Sequence, residues 1–199
     1  MDELCSKAQS QGTRILIDAE EQVYQPTIDR WAVETMRKYN RDVDAVVLNT
    51  YQAYLKCTRG VMQRHLELAG KEGWALGVKL VRGAYINIEI RSLIHDTKAD
   101  TDACYDGIAH DLLSRSFDGL HGSTFPRVRV LLAGHNVESI RKASQLRKEL
   151  VGRSTDATEV EWGMLLGMVI DSSAISEKKC IAKIICAGRP RLRRASCAM

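Results

Sequence analysis

The chain has 199 residues, 45% of them apolar and 27% charged, with three prolines; this is the composition of an ordinary globular domain and excludes disordered and collagen-like classes. Basic residues outnumber acidic ones by 29 to 25, but residues 177–199 alone hold seven basic residues and one acid, leaving a body of 22 against 24. A nucleic-acid surface needs a basic patch built into the fold, and a body at −2 predicts none.

Taken in chain order, the opening MDELCSKAQSQGTR has neither an apolar signal core nor acid-poor, Arg-rich character, and predicts no targeting signal. RILIDAE from Arg14 reads as a first strand. Pro26 then suits a first helical position, and Ile28, Trp31, Ala32, Thr35, Met36 and Tyr39 fall on one helical face. AVVLNTYQAY from Ala45 is a second strand, followed by a helix with Val61, Met62, Leu66 and Ala69 on one side. ALGVKLVRGAY from Ala75 is a third strand, and Tyr105, Ile108, Ala109, Leu112 and Leu113 mark the next helix.

RVRVLLAGHN from Arg127 is a fourth strand, and Asn136 is a good N-cap for a helix carrying Val137, Ile140, Ala143, Leu146 and Leu150, with Glu138 in its positive first turn. VEWGMLLGM from Val160 is a fifth strand; the stretch WGMLLGMVI is the longest apolar run, far short of the roughly 20 residues of a membrane-spanning helix. After Met168 the periodicity dissolves, although Cys180 to Cys186 could be a short helix or strand. The six cysteines at 5, 57, 104, 180, 186 and 197 include no CxxC pair and read as reduced, mostly buried thiols.

ILI, AVVL and VLLA are apolar on both alternating faces, as expected of parallel strands covered on both sides. Strand starts recur about every 31 residues, with one longer interval, matching a βα unit of an eight-fold barrel. The fold expected is α/β: a partial (β/α)₈ TIM-type barrel of about five βα units over residues 1–168, with an irregular basic tail over 169–199. An open sheet of this kind carries two edges and a half-covered core.

Reactive groups of such barrels sit at the C-terminal ends of the strands. Here those ends carry Asp18 and Glu20; Asn49, Thr50 and Gln52; Arg82, Gly83, Ala84 and Tyr85; and His135 with Asn136. KLVRGAY is the strongest local signal. Lys79 and Arg82 are cations in an apolar strand and need acceptors, supplied either by an electron-rich ligand or by an ion pair with Asp18 or Glu20. Gly83 and Ala84 leave room for close backbone approach. No dinucleotide fingerprint, phosphate loop, zinc-protease or serine-hydrolase motif occurs. His65, His95, His110 and His121 lack metal-ligand spacing and read as surface or helix-packing residues, whereas His135 closes a strand.

RILIDAEEQVYQP, NTYQAYL, KLVRGAY, the GHN of LLAGHN and LLGM occur here in the order and spacing of eukaryotic proline dehydrogenases, and the chain most resembles a fungal member over about residues 10–168. The resemblance implies a distorted (β/α)₈ barrel holding FAD across the strand ends. It also implies oxidation of L-proline to pyrroline-5-carboxylate by hydride transfer to the flavin, electron transfer to a membrane quinone, and a mitochondrial location with peripheral inner-membrane association. Residue by residue, Lys79 would lie by the reactive edge of the flavin and stabilise its reduced, anionic form, and Tyr85 would cover proline. Asp18, Gln52, Arg82, Gly83, Ala84 and His135 would line or hold the cofactor, Gln52 by hydrogen-bonding the ring. A bacterial branch swaps the order of the two cations at 79 and 82.

The departures are specific. Relatives continue past LLGM to a helix with an Arg-Arg-x-x-Glu motif for the proline carboxylate and amine. RLRRAS from Arg191 is superficially similar, but Cys197 stands where the Glu belongs. Met164 replaces a Gln usual before LLGM, and the family's first strand, with a substrate-pairing Lys, would precede Met1. The resemblance therefore implies a partial proline dehydrogenase, either active or a catalytically impaired remnant that binds flavin or a partner.

Overall fold

The computed structural model describes residues 1–41, 45–151, 158–164 and 180–182. Helix α1 (Asp2–Ser10) leads into strand β1 (Ile15–Ile17), followed by α2 (Gln25–Tyr39), β2 (Val47–Gln52), α3 (Thr58–Glu72) and β3 (Leu76–Val81). Then come α4 (Lys98–Leu113), β4 (Ser116–Phe117), β5 (Leu120–His121), β6 (Val128–Ala133), α5 (Val137–Val151), β7 (Glu159–Met164) and β8 (Cys180–Ala182). The main sheet has the order β1-β2-β3-β6-β7-β8, and all its pairings are parallel.

All five expected strands are present, and Cys180–Ala182 adds a sixth partner beside β7. The rest of the basic tail and the LLG-Met168 segment lie outside the described residues. The period of two along each strand divides the sheet cleanly. Ile17, Val47, Tyr51, Leu76, Val78, Leu80, Val130, Leu132, Val160 and Trp162 join the helices in the main core. There they meet Met36, Met62, Leu66, Ile108 and Leu112, each stabilising by about 1.5–3 kcal/mol on burial. The alternate residues Leu16, Leu48, Thr50, Gln52, Lys79, Val81, Leu131, Ala133, Glu161 and Gly163 turn to the concave side and line a cavity.

The curl of this sheet is visible in one contact. Arg14, just before β1, reaches across the concave face to pair with Glu161 on β7. β1 and β7 are four strand spacings apart, which on a flat sheet is roughly 19 Å. Two side chains cannot span that distance, so the contact requires a half-barrel. Arg129 on β6 joins the same Glu161 oxygen at 2.7 Å and also bonds Glu159 at 2.7 Å.

The helix ends follow from local chemistry. Asn136 caps α5, its Oδ1 accepting the Ser139 N–H at 3.1 Å. Thr97 and Asp100 form a reciprocal capping box on α4. Asn40, fully buried after α2, accepts the N–H groups of Val46 and Val47 at 2.9 Å each. Its amide also donates to the carbonyls of Val47 and Ala75 at 2.8 and 3.0 Å. Every donor and acceptor demand of this side chain is met, and it ties the starts of β2 and β3 to the end of α2.

Several expectations need correction. Trp31, placed on the buried face of its helix by spacing, is 44% exposed, while Ala32, Thr35, Met36 and Tyr39 on that helix are buried. The stripe is narrower than the spacing suggested because α2 packs on β2 from one side. Arg82 lies just beyond β3, which ends at Val81. Among the described cysteines Cys5 is buried and Cys104 half-buried, but Cys57, next to the start of α3, is exposed, so the thiols are not mostly buried. Helix α1 and the β4–β5 hairpin were not foreseen. The hairpin turns on Asp118 and Gly119, both at positive φ, the Asp-Gly signature of a tight hairpin turn, and it accounts for part of the long interval between the third and fourth strands.

Candidate functional site

A cavity of about 1070 Å³ occupies the concave face and the C-terminal ends of β1, β2, β3, β6 and β7. It contains Asp18, Gln52, Lys79, Arg82, Gly83, Ala84, Tyr85 and His135, whereas Asn49, also expected at a strand end, is not part of it and donates to Asp29 on α2 at 2.8 Å. Its walls are apolar at Leu16, Leu48, Val81, Leu131 and Ala133. Its charged lining is Arg14, Lys79, Arg82 and Lys98 against Asp18, Glu20 and Glu161, a balance that favours an anionic or electron-rich ligand.

Lys79 sits in register between Thr50 on β2 and Leu131 on β6, so the pleat aims it into the cavity. Its side chain is 8% exposed and pairs with Asp18, whose carboxylate is 45% exposed. Of the two carboxylates that the sequence offered this lysine, the fold selects Asp18. A buried cation thus retains one acceptor while its open side faces the cavity.

Arg82 is held on the opposite wall. Its Nε donates to Asp102 at 2.7 Å, one Nη donates to Ser139 Oγ at 2.7 Å, and its guanidinium stacks 4.4 Å from the centre of the Tyr105 ring. Lys98 pairs with the other Asp102 oxygen. Burial pushes the Asp102 carboxyl up, but the hydrogen bonds from Lys98 and Arg82 outweigh it and hold the group below the usual carboxylate range. A depressed native pKa contributes stability that is present above the unfolded value and lost as pH falls through the native one. Asp102→Asn should cost about 1.5–3 kcal/mol at neutral pH. It should also flatten the acid limb of the stability curve, which urea midpoints measured from pH 7 down to pH 3 would reveal.

Gln52 bridges the rim. Its amide donates to the Glu20 carbonyl at 2.9 Å and its Oε1 accepts the Ala84 N–H at 3.2 Å. The inventory of a carboxamide leaves one N–H and one lone pair for a ligand. The Glu20 carboxylate, then burial and the other nearby carboxylates, pushes the Tyr85 phenol up to about 12, so it stays neutral at physiological pH. Gly83 has a further role that the sequence did not disclose. It adopts φ +148°, and a Cβ there would lie 2.0 Å from the Tyr54 ring. His135 and Asn136 follow β6 at the far rim, and His135 is half-buried. His65, expected as a packing residue, bonds the buried Tyr51 hydroxyl at 2.7 Å on the helix side of β2. Sequence reasoning missed Arg14, Tyr54, Glu89 and Glu161; a charged residue inside an apolar strand, as at Glu161, was the one signal that could have pointed to them.

A proline dehydrogenase family model matches residues 1–187. The chain is 34% identical over 207 residues to the probable mitochondrial proline dehydrogenase of Schizosaccharomyces pombe, covering 94% of this chain and 41% of that one. It is 36% identical over 176 residues to human mitochondrial proline dehydrogenase 1, covering 84% and 28%. Against rat hydroxyproline dehydrogenase it is 37% identical over 171 residues, covering 81% and 36%. The chain thus spans less than half the length of these curated relatives. Among solved structures, proline utilization A from Bdellovibrio bacteriovorus inactivated by N-propargylglycine superposes with a TM-score of 0.63 at 23% identity, over 79% of this chain and 16% of that one. That likeness supports the barrel-type fold.

Proposed function

The chain belongs to the proline dehydrogenase family, and from that premise we propose that it takes part in proline catabolism by oxidising L-proline to 1-pyrroline-5-carboxylate with FAD, passing electrons to a quinone. The observation that carries this reading is the Lys79–Asp18 pair opening into a cavity that also gathers Gln52, Arg82, Tyr85 and His135 from the family motifs.

The cavity fits the cofactor. Drug-sized pockets span about 300–1,000 Å³, so about 1070 Å³ accommodates a larger ligand together with a small substrate. Apolar walls at Leu48, Val81 and Leu131 suit a flat ring, and Gln52 has an unspent donor and acceptor. FAD, when bound, supplies the hydride acceptor. Lys79 would hold positive charge beside it, Gln52 would hydrogen-bond the ring, and Asp18, Arg82, Gly83, Ala84 and His135 would line or hold it. Tyr85 would present its ring to the substrate, with its phenol kept neutral by the nearby carboxylates. Such groups act by binding, orientation and preset electrostatics, which cost no reorganisation during reaction.

Ile86, Ile88 and Ile90, in the segment after β3, are 63%, 63% and 64% exposed, and Val23 and Tyr24, after β1, are also exposed. Exposed apolar groups of this density mark contact surfaces and support a membrane quinone as acceptor and peripheral inner-membrane association. A mitochondrial location follows the names of the relatives. On this reading residues 1–168 form the barrel and 169–199 a basic tail, although Cys180–Ala182 pairs with β7 as part of the sheet.

A second reading is a flavin-binding remnant without turnover, or a fragment that binds a partner. It is favoured by Met164, which lines the cavity at the position where the family resemblance implies Gln. Visible spectra of the protein loaded with FAD, recorded anaerobically with and without L-proline, separate the readings. Bound flavin bleached by proline is the expected result. Bound but unbleached flavin selects the remnant, and absence of flavin binding refutes both flavin readings and leaves the partner-binding fragment.

A further inference from the structure

We propose that Glu89 is a positioning residue that clasps the cavity rim and sets the placement of Tyr85 and Gly83; the inference rests on the functional reading only for what those residues face. Glu89 does not line the cavity. Both of its carboxylate oxygens accept the Gln22 N–H, each at 3.1 Å, and Oε2 also accepts the Tyr54 hydroxyl at 3.1 Å. Its own N–H donates to the Tyr85 carbonyl at 3.0 Å, closing a single turn from Tyr85 to Glu89.

These bonds connect three strand ends just beyond the last paired residues of the sheet, where the Tyr54 N–H to the Arg82 carbonyl and the Gln52 side chain between Glu20 and Ala84 are further ties. Gln22 belongs to the loop after β1, Tyr54 follows β2, and Tyr85 and Glu89 follow β3. The Tyr54 ring fills the space where a Gly83 Cβ would be, so fixing its hydroxyl fixes the backbone of the β3 exit. Glu20, two residues before Gln22, is the carboxylate that most raises the Tyr85 phenol, so the loop gripped by Glu89 also carries the charge that acts most on Tyr85. Hydrogen bonds to an ionised carboxylate are roughly twice as strong as neutral ones. One half-buried carboxylate therefore adds a second tie, beyond the Gln52 bridge between Glu20 and Ala84, that makes the Tyr85 turn and the post-β1 loop move together.

Hydrogen exchange on the full FAD-treated chain tests the clasp without requiring activity. In Glu89→Ala, residues 19–25 and 83–90 are expected to exchange on the order of tenfold faster than in the parent while α3 and α4 are unchanged, and Glu89→Gln, which keeps an acceptor oxygen, should restore part of the protection. Unchanged exchange in either segment overturns the clasp. If the alanine variant fails to fold, Tyr54→Phe removes one of the bonds alone and should loosen residues 83–90; no loosening there overturns the proposal. Where the parent is bleached by proline, the half-maximal proline concentration of Glu89→Gln should rise several-fold with an unshifted flavin spectrum, and an unaltered concentration refutes the link to Tyr85. A parent that is not bleached counts against the functional reading and leaves the exchange result to decide the clasp.

Discussion

Replacing Lys79 by Met is expected to leave the fold intact and to slow proline-driven bleaching of bound flavin by about 10²–10³-fold, the usual consequence of removing one preorganised electrostatic group. The side chain is almost wholly buried and stands between Thr50 and Leu131 in the concave layer. Met keeps its unbranched shape, so packing should survive. Asp18 loses its partner but, at 45% exposure, can be hydrated; the stability cost should be about 1 kcal/mol or less. Lys79→Arg keeps the charge and, by resemblance to the bacterial branch, should retain most of the rate. Stopped-flow anaerobic reduction measures both variants, and a Met variant reduced at the parental rate would remove Lys79 from the mechanism.

Gly83→Ala should destabilise the protein by about 2–5 kcal/mol, combining backbone strain with overpacking. At φ +148° an L side chain is disfavoured, and the new methyl would lie 2.0 Å from Tyr54 Cδ1, a distance that requires ring or backbone to move. Tyr54 cannot move freely, since its hydroxyl is held by Glu89 and its backbone N–H bonds the Arg82 carbonyl at 2.7 Å. Tyr54→Ala should recover part of the loss when combined with Gly83→Ala, because it removes the clash and leaves only the strain. A double-mutant cycle from urea denaturation would show this as a coupling of opposite sign to the single effects. Additive losses would mean that the two residues do not meet as described.

The order of strands and helices was legible in the sequence because each depends on a local period. ILI, VVL and VLL announced strands covered on both faces, and the 3–4 spacing from Val61 to Ala69 announced α3. The site was legible as a set of residues, since KLVRGAY and GHN mark strand ends wherever those ends lie. Helix α1 was missed because its buried stripe is only Cys5 and Ala8, too short for a period to register. The hairpin carried its own signal, Asp118-Gly119, in segments too short to read as strands.

By itself, then, the sequence determined the βα alternation, the parallel sheet, the family and the motif-borne part of the cavity lining, all of which rest on spacings within one element or on motifs of a few residues. Tertiary structure alone decided the partners. Lys79 took Asp18 across 61 residues, Glu89 took the Gln22 backbone across 67, and Arg14 took Glu161 across 147. Such choices depend on strand register and on the curl of the sheet, which bring distant side chains within a few ångströms. No local period encodes that distance, because it is set by the sum of all the strand pairings at once.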